Sequence, residues 1–295
     1  MIKMKKVILD TDISNEIDDQ FALAYLALSE DICDIQAVTI APFSNSDYMA
    51  TANISDGTNL SYDTACKIFD LIGKSEHKSH IFKGAKKYFF ESKETNEATE
   101  KIIELARKND FTTILAIGAP TNIALALYLA PDIAEKIEIV WLGGNSLSSE
   151  NNDEYNFRQD AEAVRTMFNS GAKLTVIPCK NVAAQLSTSV YELERYLSDC
   201  KIGKYLLDVY KDRTAFVRKS EADIIGESKV IWDISTVGYL VNKEWFEVRT
   251  MPVPRIYDDL KYRFIENDGK ITIATDIKRD KIFNDFFVKV GRLNG

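Results

Sequence analysis

The sequence predicts an α/β fold in which helices flank an open, mainly parallel, Rossmann-like sheet. Apolar runs of strand length alternate with segments of helical periodicity at least as far as Pro178, and this alternation is typical of βαβ units. The first apolar run, residues 7–9, has the character of a buried parallel strand. Polar or glycine-containing loops follow several of the runs, at the strand ends where such a sheet binds ligands. One of these loops, residues 42–46 after the apolar run 35–41, could bring Ser44 or Asn45 to a ligand or could simply turn the chain.

The predicted strands are the apolar runs at residues 7–9, 35–41, 112–117, 138–142 and 174–177. The predicted helices are residues 21–28, 62–72, the later part of 91–109, 123–129, 161–168 and 191–210. Pro131 ends one helix, and a further helix that ends near Lys136 follows it. No Pro/Gly/Ser-rich linker, internal repeat or low-complexity tract interrupts this pattern, so residues 1–295 are predicted to form a single domain.

Composition and charge restrict the class of protein and its partners. The 295 residues are 45% hydrophobic and 28% charged, which is ordinary for a soluble globular protein. The formal net charge is -8 without a large basic block, which argues against nucleic acid as a partner. No apolar run approaches the roughly 20 residues that cross a bilayer, and the first residues lack the apolar core of a secretory signal. We therefore expect a cytoplasmic protein with no membrane partner.

The cysteines and histidines offer little chemistry. The four cysteines are scattered without a CxxC pair or metal-ligand spacing, and they have the character of inert cytosolic thiols. The two histidines, His77 and His80, lie in a charged segment where a solvated surface is expected. A Cys/His catalytic pair is therefore not predicted.

One acidic stretch between the first strand and the first helix carries the candidate site. Five carboxylates, Asp10, Asp12, Glu16, Asp18 and Asp19, fall within it. Like charges that lie close together repel and raise each other's pKa unless a cation lies between them. A hard divalent cation held by carboxylate oxygens meets this condition, although part of the cluster could instead cap the helix.

Two alternative interpretations of this stretch can be weighed on its residues. An EF-hand needs a glycine at its sixth position and a glutamate at its twelfth, and the chain has Asn15 and Phe21 there, so that interpretation fails. A Mg²⁺-dependent phosphatase of the haloacid dehalogenase type also begins with a strand and Asp-x-Asp, which would make Asp10 a nucleophile. That type does not require the later Asp18-Asp19 pair, and we find no convincing set of its other motifs.

The stretch Asp10-Thr11-Asp12, followed by Asp18-Asp19 and an apolar helix, resembles the amino-terminal signature of the inosine-uridine-preferring nucleoside hydrolases. The loop is two residues longer here than in the usual signature, with Asn15-Glu16 inside it. Three further pieces occur in the order of that family: the turn 118–122, the segment 154–157, and Trp232-Asp233 before a helix. The resemblance covers residues 6 to about 240 and implies the nucleoside hydrolase fold.

The resemblance implies a role for each matching position. It makes the metal Ca²⁺, and its implied ligands are Asp12, Asp19, the Ile117 carbonyl and Asp233. Asp10 supports these groups from behind, and Asp12 is also the general base. The implied substrate contacts are Asp18, Glu154, Asn156 and Trp232. Glu154 and Asn156 are expected to project from one side of an extended segment. One further asparagine is expected to touch the sugar, and Asn145, Asn151 and Asn152 are all candidates.

Trp232 departs from the family pattern, in which many members carry a histidine for the leaving base. A histidine can protonate a departing base, whereas an indole N–H cannot do so at pH 7. Trp232 could stack on the base or lie beneath the pocket as a structural residue. Glu16, or a tyrosine of the segment 205–210, could supply a proton instead, and the sequence does not decide between them.

The function implied by the resemblance is Ca²⁺-dependent hydrolysis of the N-glycosidic bond of a ribonucleoside or a related N-riboside. The alternative is a Ca²⁺-dependent nucleoside- or ribose-binding protein with little or no turnover, which Trp232 and the longer acidic loop motivate. A role in purine or pyrimidine salvage and a homodimer or homotetramer are further expectations from the resemblance.

Overall fold

The computed structural model describes residues 4–45, 53–220, 228–265 and 269–294. The strands of these residues are β1 (Lys5–Thr11), β2 (Cys33–Ile40), β3 (Ile81–Lys83), β4 (Thr112–Ala116), β5 (Ile137–Leu142), β6 (Lys173–Ile177), β7 (Ser187–Ser189), β8 (Ser228–Val230), β9 (Phe246–Pro252), β10 (Arg255–Ile256), β11 (Tyr262–Arg263) and β12 (Lys270–Ile277). The helices are α1 (Asp18–Ala27), α2 (Ile54–Ile72), α3 (Glu97–Lys108), α4 (Thr121–Leu129), α5 (Tyr155–Gln159), α6 (Ala161–Phe168), α7 (Val190–Leu197), α8 (Lys201–Ser220), α9 (Ile234–Val241) and α10 (Arg279–Gly291).

One eight-stranded sheet organises the structure, in the order β3-β2-β1-β4-β5-β6-β12-β9. All its pairings are parallel except that of β9 with β12, which places an antiparallel strand at one edge. The prediction of an open, mainly parallel sheet flanked by helices is confirmed. Because β1 lies between β2 and β4, the loops that follow these three strands meet at one edge of the sheet.

Alternating side chains of the central strands fill a core on each face of the sheet. Val7 and Leu9 of β1 belong to one hydrophobic cluster and Ile8 belongs to another, as the two-residue period of a strand requires. Every residue of β4 and of β5 is buried. Such strands are covered on both faces, which explains why they appear in the sequence as unbroken apolar runs.

Helix α1 brings two acidic residues into the interior. All ten of its residues are buried, and it begins at Asp18, three residues before the predicted start at residue 21. Asp18 and Asp19 therefore occupy its first turn, where the partial positive charge of a helix N-terminus favours carboxylates. The helix thus carries part of the candidate site on its own first turn.

The segment 154–157 is not extended, and that prediction was wrong. Residues 155–159 form α5, and Glu154 is its N-cap, with a carboxylate that accepts the backbone N–H groups of Asn156 and Phe157. This local capping satisfies donors that an extended segment would leave to other partners. The predicted helix at 191–210 is likewise divided, since α7 ends at Leu197 and α8 begins at Lys201.

The remaining differences from the sequence-based predictions concern the two histidines and the outer strands of the sheet. The histidines are half-buried rather than solvated, and the His77 ring stacks on Phe69 at 5.3 Å. Strands β3, β9 and β12 were not predicted, and β12 extends the sheet beyond β6. Ser46, at the end of the predicted loop 42–46, lies outside the described residues. Across the part of the chain that the structure describes, we find no helix with both the length and the apolar character needed to span a membrane.

Gly84 is expected to be required for the packing beneath the site. A Cβ atom at this position would lie 1.9 Å from the Ile40 carbonyl oxygen and 2.5 Å from Asn122 Nδ2. We expect Gly84→Ala to lower the free energy of unfolding by about 1–3 kcal/mol, the usual range for overpacking, measured by urea unfolding. Gly291→Ala is the control, because a Cβ there meets nothing within 4 Å. Equal stabilities for the two variants would contradict this account.

Candidate active site

A cavity of about 450 Å³ opens at the carboxyl ends of the central strands. The residues predicted to contact metal or substrate all line it: Asp12, Asp18, Asp19, Ile117, Glu154, Asn156, Trp232 and Asp233. They come from the loops after β1, β4 and β5, from the first turns of α1 and α5, and from the segment before α9. The structure therefore brings together positions that are up to 221 residues apart, as between Asp12 and Asp233.

Three of the aspartates form a compact group of oxygen donors. Asp18, Asp19 and Asp233 each offer a carboxylate oxygen within 4.8 Å of the others. Burial, together with the neighbouring carboxylates, raises the pKa of Asp19 and of Asp233 well above the usual range. Hard oxygen donors that repel one another in a buried pocket suit a hard divalent cation, which offsets their charge. The chemistry of the group therefore fits a site for such an ion.

Asp12 lies beside this group and not inside it. Its Oδ1 is close to Gly118, where an added Cβ would lie 3.0 Å away, and its Oδ2 accepts a hydrogen bond from Asn15 Nδ2 at 2.9 Å. Burial raises the pKa of Asp12 to about 7, against the lowering effect of the Asn15 hydrogen bond. The compact group contains Asp18 where the sequence-based set has Asp12, so the assignment of Asp12 to the metal stays a prediction.

Asp10 lies behind the cavity and is fully buried. Its Oδ1 accepts hydrogen bonds from Thr39 Oγ1 at 2.6 Å and from Asn122 Nδ2 at 3.0 Å. Asp10 thereby ties β1 to β2 and to α4, and its support of the metal ligands stays a prediction. A carboxylate enclosed in this way is not presented to a substrate, which argues against the phosphatase interpretation with Asp10 as nucleophile.

The carbonyl of Ile117 is placed by Asn156. Asn156 Nδ2 donates to Ile117 O at 3.0 Å and to Leu142 O at 3.1 Å, and so links the ends of β4 and β5. A carbonyl oxygen has two lone pairs, which leaves Ile117 O able to accept a second contact. Asn156 therefore orders the predicted carbonyl ligand as well as lining the cavity itself.

The Glu154 carboxylate connects two loops that line the cavity by accepting three backbone N–H groups. Its Oε2 accepts from the backbone N–H of Gly144 at 2.9 Å and of Phe157 at 3.2 Å, and its Oε1 accepts from that of Asn156 at 2.9 Å. Burial raises the pKa of Glu154, opposed by these backbone hydrogen bonds. Glu154 thus joins the glycine turn after β5 to the start of α5.

The positions of the three candidate asparagines favour Asn145, and its contact with a sugar stays a prediction. Among the described residues, Asn145 lines the cavity and Asn151 and Asn152 do not. The Asn145 Oδ1 atom is buried without a hydrogen-bond partner, whereas Asn152 uses its Oδ1 for the backbone N–H of Asn145 and its Nδ2 for Leu260 O. Asn145 therefore has an acceptor available for a ligand.

Trp232 packs against the hydrophobic core and also lines the cavity. It is half-buried against the hydrophobic cluster that contains α1 and α9, and it lines the cavity. Its backbone N–H donates to Asp18 Oδ2 at 3.2 Å. Trp232 therefore helps to orient the aspartate group in addition to presenting its ring.

One polar group of the cavity, the Arg213 guanidinium paired with Glu16, could not be found from the sequence. Glu16 and Arg213 both line it and form an ion pair across 197 positions of the chain, with Arg213 Nε 2.9 Å from each Glu16 carboxylate oxygen. Asn45, which the sequence allowed as a substrate contact, also lines the cavity and donates to Asn15 Oδ1 at 2.9 Å. The sequence drew attention to Glu16 in the lengthened loop, but nothing in the sequence indicated that Arg213 pairs with it.

The capping role of Glu154 predicts a loss of stability. Glu154→Ala leaves three backbone N–H groups without their acceptor, and we expect the free energy of unfolding to fall by about 1–3 kcal/mol. The control is Arg158→Ala on the same helix, which removes an exposed ion pair with Asp153 and is expected to change it by no more than about 0.5 kcal/mol. Urea unfolding of both variants measures this free energy. A Glu154→Ala protein as stable as the native protein would argue against the capping role.

Comparison with known proteins gives the family. The family model for the inosine-uridine preferring nucleoside hydrolases matches residues 7–284. The pyrimidine-specific ribonucleoside hydrolase RihB of Shigella flexneri is 26% identical over 167 residues, which is 54% of this chain and 51% of that protein. The probable uridine nucleosidase 2 of Arabidopsis thaliana is 29% identical over 234 residues, or 70% of each chain. The chain thus spans about half the length of the RihB relative and more of the plant one.

A solved structure shows the same fold. The purine-preferring ribonucleoside hydrolase from Gardnerella vaginalis has a TM-score of 0.78 and 22% identity, and the match covers 98% of this chain and 99% of that one. At this identity the likeness establishes the fold, and the family model, which covers nearly the whole chain, establishes the relationship. The resemblance stated from the motifs is thereby confirmed, and the chain belongs to the family of inosine-uridine preferring nucleoside hydrolases.

Proposed function

We propose that this protein is a Ca²⁺-dependent enzyme that hydrolyses the N-glycosidic bond of ribonucleosides, or of a related N-riboside, to ribose and a free base. Membership of the nucleoside hydrolase family supports an N-ribosyl hydrolase. The single observation that carries the proposal is the convergence of the predicted metal and substrate residues on one buried, acidic cavity.

Asp18, Asp19 and Asp233 would hold the metal, with Asp12 and the Ile117 carbonyl as the further ligands implied by the sequence. All of these are hard oxygen donors, which Ca²⁺ accepts in numbers of six to eight. Ca²⁺ bound there would supply a Lewis acid that lowers the pKa of a bound water and a centre for the sugar hydroxyls.

The carboxylates that line the cavity would act in the reaction as well as in binding the metal. Asp12 accepts the proton of the water that attacks the anomeric carbon, as a general base does. As the C1′–N bond breaks, positive charge develops on the sugar, and the surrounding carboxylates stabilise it electrostatically. Asp18 accepts a hydrogen bond from a sugar hydroxyl, and Glu154, Asn156 and the free Oδ1 of Asn145 hold the rest of the ribose.

A second candidate function is a Ca²⁺-dependent nucleoside- or ribose-binding protein with little turnover. The observation that favours it is Trp232, which lines the cavity where many family members carry a protonating histidine. Ca²⁺-dependent binding of ribose in calorimetry, without release of sugar from any nucleoside, would favour this candidate. The cytoplasmic location, the homo-oligomer, the salvage role and the single domain stay predictions from the sequence.

The proposal is tested by incubation with a panel of purine and pyrimidine ribonucleosides and an assay for released ribose. We expect turnover with Ca²⁺, loss of turnover with EDTA, and recovery when Ca²⁺ is restored. Asp12→Asn removes the proposed base, and we expect kcat to fall by about 100-fold or more. Absence of turnover of every N-riboside in the presence of Ca²⁺ would refute the proposal.

The indole of Trp232 predicts a dependence on the leaving group. Because an indole cannot donate a proton at pH 7, we expect p-nitrophenyl riboside, whose leaving group needs no proton, to be cleaved much faster than inosine. The measurement is kcat/KM for both substrates with the same Ca²⁺-loaded protein. Equal values would show that another group protonates the base.

A further inference from the structure

Glu16 and Arg213 form a half-buried ion pair in the wall of the cavity, and the proposed reaction assigns no role to either. Arg213 Nε and Nη2 contact the Glu16 carboxylate at 2.9 Å, and Lys229 Nζ lies 3.3 Å from Glu16 Oε2. The Arg213 side chain is 17% exposed and that of Glu16 is 27% exposed. A paired contact of this kind holds a planar guanidinium in one orientation.

Glu16 and Arg213 reach the cavity from the side of β1. Glu16 follows β1 and Arg213 belongs to α8, which packs on α1 and α2. Asn145 and Glu154 follow β5, which β4 separates from β1 in the sheet. The sugar-holding groups after β5 and the Glu16–Arg213 pair therefore reach the cavity from different sides of β4. Lys229, which contacts Glu16, belongs to the segment that leads to Trp232.

The geometry of a ribofuranose then places the leaving group, on the basis of the proposed function. C1′ and C4′ lie on opposite sides of the ring oxygen, so the C1′ and C5′ substituents point to opposite ends of a pocket. With the 2′ and 3′ hydroxyls at the aspartates and the C5′ side at Asn145 and Glu154, the C1′ substituent points toward Arg213 and Trp232.

We propose that Arg213, held in place by Glu16, contacts the leaving group and stabilises the negative charge that it acquires as the C1′–N bond breaks. The electron pair of that bond stays with the nitrogen of the leaving group. The attacking water gives its hydroxyl to C1′ and its proton to Asp12, and the departed anion takes a proton from solvent. Arginine keeps its protons at pH 7, so it acts here by charge and hydrogen bonding. The substrate class is an N-riboside whose heterocyclic base turns an acceptor atom toward the guanidinium.

The other groups considered for this role are placed differently. The Tyr205 hydroxyl donates to Gln20 Oε1 at 2.7 Å and the Tyr210 hydroxyl donates to Thr188 O at 2.7 Å. Neither tyrosine is among the described residues that line the cavity. Both carboxylate oxygens of Glu16 accept from Arg213 Nε, and Lys229 Nζ lies 3.3 Å from Oε2, so Glu16 is engaged by two cations and is not aimed at a leaving group as a proton donor.

The test compares two leaving groups in one set of variants. Arg213→Gln, Arg213→Lys and the native protein are assayed with Ca²⁺ on inosine and on p-nitrophenyl riboside. We expect Arg213→Gln to lower kcat/KM for inosine by about 100-fold and for p-nitrophenyl riboside by less than about 3-fold, because p-nitrophenolate needs little stabilisation. Arg213→Lys, which keeps the charge, should lie between the native protein and Arg213→Gln.

The matched control is Arg279→Gln. Arg279 also pairs with a glutamate, Glu192, at comparable exposure, and neither residue is among the described residues lining the cavity. The ratio of the two kcat/KM values does not depend on how much protein is folded, and the control should keep the native ratio. If native protein cleaves both substrates and Arg213→Gln leaves the ratio unchanged, the role of Arg213 is overturned and the proposed function stands. If native protein cleaves neither, the proposed function fails and the role of Arg213 with it.

Discussion

The mutual repulsion of buried carboxylates is the constraint around which this structure is arranged. Asp12, Asp18, Asp19 and Asp233 are all nearly inaccessible to solvent, and burial with like-charged neighbours disfavours their ionised forms. Such a group is stable only where hydrogen-bond donors or positive charges offset the repulsion between its carboxylates. Helix N-termini, the Thr11 hydroxyl, the Asn15 amide and the Trp232 N–H supply part of this compensation. The negative charge that these donors leave uncompensated indicates a site for a divalent cation.

The parallel sheet makes this concentration of charge possible. Loops after neighbouring strands meet at one edge, so donors from distant parts of the chain can converge without distorting the core. The aspartate after β1, the carbonyl after β4 and the asparagines near β5 all use this edge. Amide and carboxylate networks behind it, centred on Asn156 and Glu154, keep the loops in place. The apolar core therefore supplies rigidity and the loop networks supply the chemistry.

Charge is not distributed evenly around the cavity, and this asymmetry has a chemical use. The carboxylates face the position where a sugar would gain positive charge. In the proposed arrangement, the Arg213 guanidinium lies toward a leaving group that would gain negative charge. Preorganised charges of both signs stabilise a polar transition state without reorganisation at the moment of reaction. Glu16 pairs with this cation and fixes its orientation in the wall.

The sequence alone determined the class of fold, most of the strands of the main sheet, and the identity of most acidic and polar residues in the cavity. Buried strands appear as apolar runs and family motifs are short and contiguous, so both can be recognised locally. Only the tertiary structure decided the helical state of residues 155–159, the place of β12 in the sheet, the choice of Asn145, and the pairing of Glu16 with Arg213. Each of these depends on a partner far along the chain or on a backbone cap, and neither produces a periodic signal in the sequence.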